Sequence, residues 1–187
     1  AVLILTADTP EQLLPTIVSR CEVLRLRSSS IADVKKDLES NGMEGEQARL
    51  VAHISGGRPG YARQLTENDA LLDIREERLN DLLTLLSASR VEKFKYADKL
   101  ARDKDSMRQA ITFWLSYWRD VMLRTAQAET ALVNVDRNME IEDLAGQMDL
   151  TSSRKVVTDL ENALEKMDKN VNPRLLAEVL LLDLPKV

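Results

Sequence analysis

One stretch constrains the fold more than any other. Between residues 107 and 130, Ile111, Trp114, Leu115, Trp118, Val121 and Met122 recur at i, i+3, i+4, i+7, i+10 and i+11. That spacing lays all six on one side of an α-helix. A long helix with such a stripe gains its stability by burying the stripe against other elements rather than from propensity alone. Trp114 and Trp118 sit among Ile, Leu and Val and are expected in that core. A role as a stacking platform for unpaired bases would put them at the surface instead.

The neighbouring sequence supplies the partners. From residue 70 onward the apolar periodicity is helical to the end. It predicts helices over 71–87, 91–103, 107–130, 141–148 and 151–169, with residues 134–138 as a loop. The last helix opens with Asn172 as cap and Pro173 in its first turn, where a missing N–H costs little. Ahead of residue 70 lies a smaller helical unit. Ser30 is placed to cap a helix carrying Ile31, Val34 and Leu38, which Asn41-Gly42 ends. A second helix over 46–55 stops at Gly56-Gly57, and a third runs over 61–66. Residues 2–5 are a continuous apolar run, as in a strand buried on both faces, and residues 22–27 alternate like a half-exposed strand. Two strands do not make a domain, so residues 1–28 read as the tail of an α/β domain and the chain as a piece of a longer protein. The expected architecture is mainly α: this remnant over 1–28, a three-helix unit over 29–69 and a helical domain over 70–187.

Composition excludes several classes of function. Acidic residues outnumber basic ones by 31 to 26, giving a net charge of −5, whereas a free-standing nucleic-acid binder needs a basic footprint. The single Cys permits no internal disulfide, and the single His, His53, leaves no metal-ligand spacing. There is no apolar run long enough to span a membrane, and an intracellular, cytoplasmic protein is the default expectation. No Gly-x-x-x-x-Gly-Lys-Ser/Thr loop occurs, so the chain is not expected to cradle ATP itself.

The segment before residue 22 is the most specific. The triplet Ser19-Arg20-Cys21, with Pro15-Thr16-Ile17 before it, resembles a signature of clamp-loader subunits of the AAA+ family. The lid-like segment Gly56-Gly57-Arg58-Pro59-Gly60 resembles that family too. Motor subunits carry an Arg three residues after the Gly of this motif; counted from Gly57, this chain has Gly60 there, with Arg58 and Arg63 out of register. Residues 114–136, containing Trp118-Arg119-Asp120 and Asn134-Val135-Asp136, and residues 170–184 are similar to collar helices of the delta-prime subunits of bacterial DNA polymerase III.

The resemblance implies an AAA+ remnant, a three-helix lid and a helical oligomerisation collar. It implies a non-motor subunit with no cofactor in this chain. Its partners would be the gamma/tau motor and delta subunits, with the sliding clamp and primed DNA met only through the complex. It also implies that Arg20 acts in trans as an arginine finger on a neighbour's ATP, with Ser19 and Cys21 completing the motif. A planar, permanently charged fork suits the charge on a transferring phosphoryl group. Two other readings stay open at this point: the C-terminal part of an ATP-hydrolysing gamma/tau-type motor, and a helical scaffold whose Ser-Arg-Cys match is accidental.

Four further features have two readings each. Thr6 and Asp8 fit either a sensor-1 position at a strand end or simple strand termination. His53 is expected to pack or to face solvent. Lys93, Lys95, Lys99, Arg102 and Lys104 form a basic cluster interleaved with acids, expected to be a solvated face, with weak phosphate contact as the alternative. The collar carboxylates show no spacing that suggests catalysis.

Overall fold

The computed structural model describes residues 2–7, 11, 13–169 and 171–186. Among them it contains ten α-helices, a short 3-10 turn and no strand. The helices are α1 (Pro15–Val18), α2 (Ile31–Ser40), α3 (Gly45–Ile54), α4 (Pro59–Glu67), α5 (Ala70–Ser87), α6 (Arg90–Leu100), α7 (Lys104–Thr125), α8 (Asn138–Gln147), α9 (Leu150–Asp168) and α10 (Pro173–Asp183).

Helix α7 is the hub of the larger core. It packs against α9, α8 and α5, while α10 packs on α6 and α9. Ile111, Trp114, Trp118 and Val121 are each 0% exposed, so both Trp residues are core and neither is a base-stacking surface. The Trp114 Nε1–H donates to the Arg78 carbonyl of α5 at 2.8 Å, which satisfies its polar edge. The helix is shorter at its end than the sequence predicts. Gln127 takes a left-handed φ of 55°. Its N–H donates to the Arg124 carbonyl and the Ala128 N–H to the Leu123 carbonyl, both at 2.9 Å. This is a Schellman closure without the glycine that usually announces it.

A second, smaller core is formed by α2, α3 and α4 around Val34, Leu38, Val51, Ala52 and Leu65. The predicted stops hold. Ser30 Oγ accepts the Asp33 N–H at 3.0 Å, and Gly42, Gly56 and Gly57 all have positive φ. At Gly57 a side chain is excluded on two counts. Its φ is +75°, and a Cβ would lie 2.2 Å from the Ser29 carbonyl oxygen. That close approach lets the Ser29 N–H donate to the Gly57 carbonyl at 2.7 Å, pinning the preceding segment to the α3–α4 turn. Helix α5 belongs to both cores: Leu71 and Leu72 pack on the smaller one, Ile74 and Leu79 on the larger.

The two expected strands are a correction. Residues 2–7 and 22–27 have no regular structure and their side chains are exposed. A strand exists only where a neighbour takes its N–H and C=O groups, and these two runs do not pair with each other. Thr6 therefore terminates no strand, and Asp8 lies outside the described residues.

Candidate functional site

Helix α1 positions the Ser-Arg-Cys triplet. Pro15 fixes its first turn. Three successive backbone bonds then wind the chain past its end: Ser19 N–H to Pro15 O at 3.0 Å, Arg20 N–H to Ile17 O at 3.0 Å and Cys21 N–H to Val18 O at 3.3 Å. Arg20 thus stands on a helical turn. Its side chain is exposed, and Arg25 pairs with Glu11 nearby at 3.7 Å. Cys21 is a free, exposed thiol. The flanking apolar residues do not anchor the turn in a core, since α1 contains no buried residue.

In the α3–α4 turn the arginines near the sensor-2 register are engaged locally. Arg58 donates from Nε to the Ser55 carbonyl at 2.8 Å and lies 4.9 Å over the Tyr61 ring. Arg63 pairs with Asp37 at 3.3 Å. Gly60, at the register itself, faces open space.

The most developed polar constellation lies where the two cores meet. Arg75 of α5 is 4% exposed. It donates from Nη1 to Asp136 Oδ2 at 2.7 Å, and from Nη2 to Asp136 Oδ1 at 2.9 Å and Asn134 Oδ1 at 2.6 Å. Asn134 in turn donates its backbone N–H and its Nδ2 to Asp120 Oδ2, at 2.7 and 2.8 Å. The Val133 N–H donates to Asp120 Oδ1 at 3.1 Å. Burial pushes the Asp120 carboxyl above its ordinary range, and the N–H donors from Asn134 and Val133 hold part of that rise back. The Trp118-Arg119-Asp120 motif therefore splits three ways. Trp118 enters the core, Arg119 reaches out to Glu161 of α9 at 2.5 Å, and Asp120 holds the loop after α7. The Asn134-Val135-Asp136 motif is the other half of the same network, with residues 135–137 in the 3-10 turn.

Residues 69–186 match the family model described as DNA polymerase III, delta subunit, C terminal. The chain belongs to that family. The matched span covers α5 to α10 and with them the whole Arg75–Asn134–Asp136–Asp120 network. Membership agrees with the clamp-loader resemblance read from the sequence, although the family's description says delta where the motifs resemble delta-prime. The Ser19–Cys21 triplet and the α2–α4 unit lie ahead of the matched residues. No curated protein matches the chain.

Arg75 is the network residue that the sequence reading missed. Its signal was present: Leu72, Arg75, Leu79 and Leu82 share one helical face, and a cation within an apolar stripe calls for a buried partner. The basic cluster around residue 95 also needs correction. Lys95, Lys99, Arg102 and Lys104 are exposed, but Lys93 is 3% exposed. Burial, with Lys186 nearby, pulls its ammonium below the ordinary Lys range. His53 is half-buried, and its Nδ1–H donates to the Leu132 carbonyl at 2.6 Å. Among the described residues there is no cluster of potential metal ligands and no helix long and apolar enough to cross a membrane.

Proposed function

We propose that this chain is the C-terminal part of a delta-prime-like, non-motor subunit of the DNA polymerase III clamp loader. The α5–α10 domain is its collar, the part that holds it to the gamma/tau motor and delta subunits. The sliding clamp and primed DNA are met through the assembled complex in the cytoplasm. The observation that carries this reading is the family match over residues 69–186, which spans the helices assigned to the collar. The delta-prime identity is supported by the Trp118-Arg119-Asp120 and Asn134-Val135-Asp136 motifs. Non-motor character is supported by Gly60 at the sensor-2 register.

Arg20 is the group offered to a neighbour's ATP. Its exposure at the end of α1 suits a residue that works outside its own chain. An arginine finger supplied in trans is worth about 10³–10⁵ in rate in the best-studied GTPases. In a ring with several ATP sites the loss falls on one of them, so the effect on overall turnover is smaller. The test is ATP turnover and clamp loading by a ring reconstituted with the full-length subunit. Arg20→Ala should leave ring assembly intact and impair loading. Arg20→Lys should rescue incompletely, because an ammonium lacks the planar fork. Wild-type loading by the Arg20→Ala ring would show that this residue is no finger.

A further inference from the structure

Two connections between the two cores stand out among the described residues. One is α5, whose Leu71 and Leu72 pack on the three-helix core while Ile74 and Leu79 pack on the larger one. The other is the loop after α7. Its residues 133–136 are gripped from beneath by Asp120 of α7 and Arg75 of α5. Its upper side receives the three-helix unit: α3 packs on the 3-10 turn, and His53 of α3 donates to the Leu132 carbonyl at 2.6 Å. Because a carbonyl only accepts, Nδ1 must carry the proton here. Arg75 also lies close enough to Tyr61 of α4 for its charge to act on the phenol.

We propose that residues 132–136 form a latch. Arg75, Asn134 and Asp120 are positioning residues that hold the loop in one shape, and His53 seats the three-helix unit on it. The angle between the three-helix unit and the helical domain is thereby fixed. The effect reaches further, because Ser29 is bonded to Gly57 on the α3–α4 turn. The segment that carries Arg20 is attached to the three-helix unit at that point, so the latch also sets where this segment leaves the body of the protein. This last step rests on the reading of Arg20 given above. A short buried chain of charge-assisted bonds suits the task, since its members are either all satisfied or jointly costly.

The experiment measures the angle directly. Spin labels go on the exposed positions Gln47→Cys of α3 and Thr158→Cys of α9, in a Cys21→Ser background of the whole chain. The distance distribution between them is read by pulsed electron paramagnetic resonance. The native latch should give one narrow distribution. Arg75→Met should broaden or split it while helix content by circular dichroism stays unchanged. If Arg75→Met fails to fold, His53→Ala, at a half-buried site, removes only the seating bond and should broaden the distribution on its own. A folded variant of either kind that keeps the narrow native distribution overturns the latch. Clamp loading by rings carrying the same variants separates the two ideas. Broadened distances with wild-type loading would overturn the link to Arg20 while the latch stands. Impaired loading by Arg20→Ala with narrow distances in the latch variants would overturn the latch while the reading of Arg20 as a finger stands.

Discussion

Asn134 directs both its backbone N–H and its side-chain Nδ2–H at the same oxygen of Asp120, Oδ2, at 2.7 and 2.8 Å. Its own Oδ1 accepts from Arg75 at 2.6 Å. One neutral side chain thus mediates between a buried cation and a buried anion. Asn134→Ala should orphan a donor of Arg75 and a lone pair of Asp120 together. Each buried group left unsatisfied costs about 1–3 kcal/mol, so the loss should show as a large drop in the urea midpoint with little change in slope. A midpoint within error of wild type would mean that water enters and replaces the amide.

Asp120 makes part of the stability pH-dependent. Its carboxyl is raised in the fold above the ordinary value of 3.8, with burial as the main cause. Between those two values the folded state holds more protons than the unfolded one. Stability from this group therefore falls as pH rises through that window and is level above it. Against Asp120→Asn, which does not titrate, the wild type should be at its relative best at the acid end and lose that advantage on the way up. Urea melts of both proteins across the acid range check the sign, and parallel curves would contradict it.

The Trp118 and Leu180 side chains test the larger core from its centre and its edge. Trp118 is wholly enclosed and Leu180 nearly so. Trp118→Ala should cost about 3–5 kcal/mol and Leu180→Ala about 2–5 kcal/mol, from lost transfer energy and the cavity left behind. Thermal or chemical melts provide the measurement, and an unchanged melt for either would mean that the core lies elsewhere.

Lys93 predicts a gain. Its ammonium is desolvated on α6, with the charge of Lys186 nearby. Lys93→Met keeps the packing of the stem and removes the charge, so the denaturation midpoint should hold or rise. The folded-state pKa is depressed, so the wild type should gain stability as pH climbs from its lowered value toward 10.5. The Met variant should lack that slope. A lower midpoint for Lys93→Met would show that the ammonium has a partner that stabilises it.

The helices were legible because their signals are local. Asn172 caps α10 as expected, its Oδ1 accepting the Arg174 N–H at 3.0 Å, and Ser30 and the Gly56-Gly57 stop behave likewise. The missed end of α7 has a specific cause: Gln127 adopts a conformation that sequence reasoning reserves for Gly or Asn. The full capping box at Ser89 and Glu92 is likewise written locally, as Ser-x-x-Glu. The strands failed for the opposite reason. Apolar alternation reports what a segment would do beside a partner, and pairing is not a local property. The candidate site divides in the same way. Trp118-Arg119-Asp120 and Asn134-Val135-Asp136 stood out as motifs, but Arg75 joins them across about 60 residues of chain. Nothing in their spacing named it.

His53 and the carbonyl it grips are 79 residues apart. The three-helix unit is synthesised ahead of the loop that seats it, which follows only after α5, α6 and α7. At a synthesis rate of about 5–20 residues per second, His53 waits roughly 4–16 s for its partner. Through that interval the unit's own small core and the start of α5 help to hold it, with Leu71 and Leu72 packed on that core before the rest of their helix has anything to pack on. The three-helix unit is therefore made before its dock and placed late, and its final orientation is decided by residues that the ribosome has yet to read.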